Sequence, residues 1–196
     1  MNKKLPWLYY FGRAILGPIF RWYYKPLIIG KENIPREGAI VIVGNHKHLY
    51  DQCLTIISTK RGIHYMAKKE YFDNKKTAWF FKRTGCISVD RQHKDEHAKE
   101  SAIAVLKDKG AIGLFPEGTR NKTKEFLLPF KFGAVSMAKK TDAYIVPFGI
   151  TGDYVFHSKN LTIRYGKPFK VTDLELKSAN EKLFNEVKIL MEKNLK

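Results

Sequence analysis

Cysteine is nearly missing from this chain: Cys53 and Cys86 are the only two among 196 residues. Neither stands in a C-x-x-C or Cys/His spacing, and both lie among apolar residues. A disulfide framework and a metal knot therefore drop out, and a reducing compartment fits best. Long apolar runs are missing too. A membrane-crossing helix needs roughly 18 or more apolar residues, and a secretory leader needs an unbroken apolar core with a small-residue cleavage site. Arg13 and Arg21 interrupt the amino-terminal stretch that comes nearest to either. No repeat of fixed period and no low-complexity tract occurs, which excludes solenoids and disorder. Acidic residues are scarce, 19 against 36 Lys plus Arg, leaving a net charge of +17 and a pI of about 9.8. Such a field draws polyanions, so on charge alone nucleic acid and anionic lipid both qualify. No helix-turn-helix, zinc or RNA-binding aromatic pattern is present, and the aromatics gather in one terminal segment instead of alternating with the cations.

That terminal segment is distinctive. Residues 1–30 carry Lys3, Lys4, Arg13, Arg21 and Lys25 with no acidic residue, together with Trp7, Tyr9, Tyr10, Phe11, Phe20, Trp22, Tyr23 and Tyr24. Interrupted at Gly17-Pro18 and again at Pro26, residues 1–26 have the composition of an amphipathic helical segment lying in a headgroup layer, with Trp7 and Trp22 inserted and Arg13 and Arg21 meeting phosphates. A helix packed on the core is the other reading of the same composition.

Residues 27–196 suffice for one further domain. Leu27–Ile29, Ala39–Val43, Ile63–Ala67, Cys86–Val89, Ala111–Phe115, Tyr144–Ile150 and Leu161–Tyr165 read as short strands. Helices are expected at Leu54–Ile57, around Ala78–Lys82, at Asp95–Lys109 closed by Gly110, at Phe132–Lys140, and after a capping box of Ser178 and Glu181. Pro147 inside an apolar run implies an edge position or a bulge. Strands alternating with helices predict an α/β fold, a central mixed and largely parallel sheet flanked by helices.

Two stretches follow strand ends, where α/β sheets place ligand sites. In Gly44-Asn45-His46-Lys47-His48-Leu49-Tyr50-Asp51 a carboxylate five residues beyond a histidine can orient the imidazole and stabilise its protonated form, which makes His46 a general base for a hydroxyl. Taken alone, the same pattern is more simply a strand cap at His46 and a helix cap at Asp51. In Phe115-Pro116-Glu117-Gly118-Thr119-Arg120 the guanidinium fork of Arg120 matches phosphate oxygens, although Arg120 as a solvated loop cation paired with Glu117 is the plainer alternative.

With Gly85-Cys86-Ile87-Ser88-Val89-Asp90-Arg91 and Val146-Pro147-Phe148, these blocks stand in an order and spacing that resemble the glycerolipid acyltransferases, most closely the lysophosphatidic acid acyltransferases. Met66-Ala67-Lys68-Lys69-Glu70 and Lys131-Phe132-Gly133-Ala134 resemble segments between the blocks, and the likeness covers about residues 27–165. It implies transfer of an acyl chain from a thioester of coenzyme A or acyl carrier protein to the sn-2 hydroxyl of lysophosphatidic acid, with glycerol-3-phosphate or another lysolipid as the alternative acceptor. By the same resemblance His46 is the base and Asp51 its orienting partner, while Lys68, Arg91 and Arg120 bind the phosphate. Glu117, Gly118 and Thr119 shape the acceptor site. No metal, no other cofactor and no covalent acyl-enzyme take part, which leaves Cys53, Cys86 and Ser88 structural. The enzyme would work at the cytoplasmic face of an anionic membrane, held peripherally. His48 and Gln52 replace the block's usual Ser and Pro, and bear on fine specificity.

Overall fold

Strict alternation builds the sheet. In β2 (Ile40–Gly44) every residue is buried, Ile40 and Ile42 facing one layer and Val41 and Val43 the other, as the two-residue period of a strand buried on both faces requires. The computed structural model describes residues 5–90 and 95–196. Around β2 lie β1 (Leu27–Ile29), β3 (Ile63–Lys68), β4 (Ile87–Val89), β5 (Ala111–Leu114), β6 (Tyr144–Thr151) and β7 (Thr162–Tyr165) in the order β1-β7-β6-β2-β5-β3-β4. Every neighbouring pair is parallel except β6 with β7, so the sheet is mixed and largely parallel, as expected.

Helices cover both faces. On one, α5 (Glu96–Lys107), α6 (Gly133–Thr141) and α7 (Leu176–Asn194) bury Ala102, Leu106, Val135, Leu183 and Val187 against Val41, Val43, Ile112 and Ile145. On the other, α1 (Trp7–Tyr24) and α2 (Asp51–Ser58) bring Phe20, Tyr24 and Leu54 against Ile40, Ile42, Val146 and Phe148. Each fully buried Leu, Ile or Val contributes about 1.5–3 kcal/mol of apolar transfer. The remaining helices, α3 (Glu70–Asp73) and α4 (Lys75–Arg83), form a hairpin between β3 and β4.

Several local expectations are corrected. The Gly17-Pro18 step does not break α1, which runs through it. Proline removes one helical bond, but packing holds the helix on both sides: Tyr9 is buried before it, Gly17 faces Ile57, and Phe20 and Tyr24 pack after it. Lys25, left-handed at φ 46°, ends the helix before Pro26. At the end of α5 the left-handed residue is Lys109 and not Gly110; Gly110 is needed because a Cβ there would fall 2.6 Å from Val105. The Ser178/Glu181 box does not cap α7, since the helix already starts at Leu176 behind an extended Glu175. Pro147 lies on an interior strand. Its bulge is real: Ile145 pairs with Phe169 whereas Phe148 pairs with Tyr165, so the partner segment carries one extra residue opposite Pro147.

Because β2, β3, β4 and β5 are parallel, their carboxyl ends open on the same side. The two stretches singled out above both begin there.

Candidate active site

Asn45 leaves β2 and is pinned at once. Its side-chain amide donates to the Ile150 carbonyl at 2.9 Å and its oxygen accepts from the Ile150 N–H at 2.7 Å. The chain then turns so that one buried carboxylate gathers the following loop. Asp51 Oδ2 accepts from the Lys47 N–H at 2.7 Å and the His48 N–H at 2.8 Å, and meets His46 Nδ1 at 2.8 Å. Asp51, fully buried in the first turn of α2, thus holds both the loop and the imidazole. With Nδ1 engaged, Nε2 is the nitrogen left to accept a proton. The ring lies flat on Phe115, centroids 4.1 Å apart and planes 17° apart, which fixes its remaining rotation.

The Phe115–Arg120 loop is stitched to the same histidine. Glu117 Oε1 accepts from the His46 N–H at 2.6 Å and Oε2 from the Leu128 N–H at 3.1 Å, while the Asn121 N–H donates to the His46 carbonyl at 2.7 Å. Burial raises the Glu117 carboxyl above its usual range, against the lowering effect of those two N–H donors. Glu117 therefore braces His46 from behind, and the cleft wall is formed by its neighbours. Gly118 adopts φ 71°, and a Cβ there would stand 3.0 Å from the Lys131 side chain, so the glycine serves both the turn and the approach of that lysine.

Beside His46 opens a cleft of about 480 Å³, walled by apolar groups including Met66, Leu114, Phe115, Phe132 and Met137, and carrying, among the described residues, the charged groups Lys99, Lys131, Asp90 and Asp95. Apolar walls with a few convergent polar groups are the usual character of a ligand site. Lys68 ends β3 exposed, and Thr119 and Arg120 are exposed on the loop; none of the three is among the cleft-lining residues. Arg91 lies outside the described residues. Burial pushes the Cys53 thiol up to about 11 and raises that of Cys86, which leaves both poor nucleophiles. Among the described residues no group of three or more His, Cys, Asp or Glu could hold a metal ion.

Three residues escaped the sequence reading. Tyr154 donates its hydroxyl to Asp51 Oδ1 at 2.7 Å; burial and then the charge of Asp51 push its phenol far above the ordinary range, which keeps it a donor. It stands 103 residues from Asp51 in an irregular loop, where no local pattern marks it. Lys131 was visible only as part of a segment, and nothing in the chain singled out Lys99, a partly buried position of α5. His48, the other histidine of the loop, is not among the cleft-lining residues, and its ring stacks on Tyr154 with centroids 4.4 Å apart.

The amino-terminal cations are also placed differently from the expectation. Arg13 Nη1 donates to the carbonyls of Thr59, Lys60 and Arg61 at 3.3, 3.0 and 3.3 Å, and Arg21 donates to the Ile57 carbonyl. The Ile57 carbonyl lies in the last turn of α2 and the other three follow its end, where cations are favoured, so both arginines tie α1 to α2 and the turn after it. Trp7 and Trp22 do point outward, with Phe11, Ile15, Leu16 and Ile19. No helix of the described residues is long and apolar enough to cross a membrane.

Comparison with known proteins places this arrangement. The family model described as Acyltransferase matches residues 25–151. The 1-acyl-sn-glycerol-3-phosphate acyltransferase of Bacillus subtilis is 31% identical over 161 residues, covering 80% of this chain and 79% of that enzyme. The enzyme of the same name from Cocos nucifera is 31% identical over 194 residues, covering 90% of this chain, and the chain spans 62% of its length. The crystal structure of the 1-acyl-sn-glycerophosphate acyltransferase from Thermotoga maritima superposes with a TM-score of 0.74 over 94% of this chain and 81% of that one, at 21% identity, and has the same fold. With a family match over well more than half its length, this chain belongs to the acyltransferase family.

Proposed function

We propose that the protein acylates the sn-2 hydroxyl of lysophosphatidic acid, giving phosphatidic acid, with an acyl thioester of coenzyme A or acyl carrier protein as donor. The observation that carries the mechanism is His46 held at Nδ1 by Asp51 beside an apolar cleft. His46 takes the proton of the acceptor hydroxyl as its oxygen attacks the thioester carbonyl carbon. The carbon–sulfur bond then breaks and the thiolate leaves with the proton that His46 returns. Lys131, which lines the cleft, joins Arg120, Lys68 and Arg91 as the cations assigned to the acceptor phosphate. The relatives named above carry this activity in their names, and the enzyme works peripherally at the cytoplasmic face of an anionic membrane, where its substrates reside.

The test is direct. Purified protein is given labelled acyl thioester, presented in turn on coenzyme A and on acyl carrier protein, with lysophosphatidic acid, glycerol-3-phosphate and other lysolipids as acceptors. Labelled phosphatidic acid is the expected product. Labelling of glycerol-3-phosphate alone, or of no acceptor, would refute the assignment.

A further inference from the structure

The hairpin of α3 and α4 stands apart from the core. No residue of α4 is buried, and its substantial neighbour among the elements is α3 alone. The two helices hold each other through Phe81, which stacks on Tyr71 with centroids 4.9 Å apart and planes 8° apart. That leaves Trp79 and Phe80 on the outer surface, 56% and 45% exposed. Exposed Lys75 and Lys76 precede the pair, and exposed Lys82 and Arg83 follow it. A nine-residue helix is marginal in water by itself, and two large rings that pack on each other and on Phe81 yet stay about half exposed mark a contact surface.

The position of the hairpin narrows the partner. It leaves β3 and returns into β4, and the ends of both strands, Met66 and Val89, line the cleft. At its far end Gly85 abuts the start of α1, where a Cβ would fall 2.4 Å from Leu5 and 3.1 Å from Pro6. The outward aromatic face of α1 therefore begins next to the point where α4 ends. The chain has three tryptophans, and Trp7, Trp22 and Trp79 are 66%, 61% and 56% exposed. Tryptophan prefers the boundary between apolar and wet surroundings, and cations beside it favour an anionic surface. The chain's charge of +17 complements such a surface.

We infer that α4 is a second lipid-contacting element, inserting Trp79 and Phe80 into the anionic bilayer on which α1 lies, so that the cleft between β3, β4 and β5 opens at the membrane surface. This rests on the reading that the protein works at a membrane. It adds that one helix does not suffice: two elements at different points of the rim set the tilt of the cleft, and the lysolipid reaches His46 by lateral entry.

The full chain carrying Trp7→Phe and Trp22→Phe has Trp79 as its sole tryptophan. With phosphatidylglycerol vesicles its emission should shift to the blue and be quenched by brominated acyl chains. Trp79→Ala combined with Phe80→Ala should weaken vesicle binding about tenfold or more. It should also slow acylation of vesicle-borne lysolipid while leaving a short-chain soluble acceptor unaffected. If Trp79 stays unquenched while a protein retaining only Trp22 is quenched, the inference about α4 fails and membrane binding through α1 stands. If neither responds, the membrane reading fails with it. Loss of a dimer in sedimentation, with vesicle binding unchanged, would assign the face to a second copy of the chain and overturn the inference.

Discussion

Asp51 meets four donors at once: His46, the Lys47 and His48 N–H groups, and the Tyr154 hydroxyl. An asparagine there would turn an amide N–H toward at least one of those donors. Asp51→Asn should therefore impair turnover by misplacing the imidazole, and His46→Ala should reduce it by roughly a hundredfold or more with substrate binding retained. His48→Ala should do much less, because that ring stacks on Tyr154 and does not line the cleft. Abolition by His48→Ala with survival of His46→Ala would reverse the assignment. Tyr154→Phe gives a finer test. Without its hydroxyl Asp51 loses one of four donors and holds the imidazole less firmly, so kcat should fall several-fold with the Michaelis constant of the acceptor nearly unchanged. A general structural defect would instead lower the denaturant midpoint and raise the Michaelis constants as well. Lys131→Met and Arg120→Lys should each raise the Michaelis constant for the acceptor and leave that for the thioester nearly unchanged. Equal effects on both substrates would deny the phosphate role.

At the scale of elements, α1 is more firmly built in than its composition implied. The Tyr9 hydroxyl accepts the Ile63 N–H at 3.1 Å, and burial raises its phenol to about 12. Tyr9→Phe leaves that N–H without its acceptor and should cost about 1–3 kcal/mol, read as a lower denaturant midpoint with an unchanged slope. An unchanged midpoint would mean that α1 contributes little to the fold. At the start of α5, Asp95 accepts from the Asp90 and Ala98 N–H groups at 2.8 and 2.9 Å, and these bonds hold its carboxyl below the usual Asp value. A folded value below the unfolded one gives stability that is present above the unfolded pKa, about 3.9, and is lost as pH falls through the folded one. Asp95→Asn, which keeps a capping oxygen, should therefore lose less stability than the parent protein as pH falls below about 4. Identical acid titrations of the two proteins would contradict this.

For the molecule as a whole, a charge of +17 acts beyond any single contact. Vesicle binding should weaken as salt shortens the screening length, to about 10 Å at 0.1 M. Trp7→Ala with Trp22→Ala should weaken it even at low salt, because insertion of rings is not screened. Since Arg13 and Arg21 are engaged by the Lys60 and Ile57 carbonyls, the salt dependence should come mainly from cations elsewhere, such as those at both ends of α4. Their neutralisation should flatten the salt dependence more than loss of Lys25 does.

The strands and most helices were legible in the chain because burial on one or both faces imposes a period that a sequence displays directly, as in Ile40–Val43 or in Ala98, Ala102, Val105 and Leu106. The pairing of His46 with Asp51 was legible because they stand five positions apart and one turn closes the gap. Elements whose ends depend on distant partners were not: Pro18 stays inside α1 because α2 and the sheet hold the helix on both sides of it, and Ser178 lost its cap to a helix that starts two residues earlier. Tyr154 on Asp51, Glu117 behind His46 and Lys131 over Gly118 join residues that are 103, 71 and 13 positions apart. Chain order says nothing about such meetings, because parallel strands bring their carboxyl ends together only after intervening helices have crossed the sheet. The amino-acid sequence thus determined the layers and the pairing of His46 with Asp51, whereas tertiary packing decided which side chains brace that pair, which lysines line the cleft, and that Arg13 and Arg21 donate to carbonyls at and beyond the end of α2.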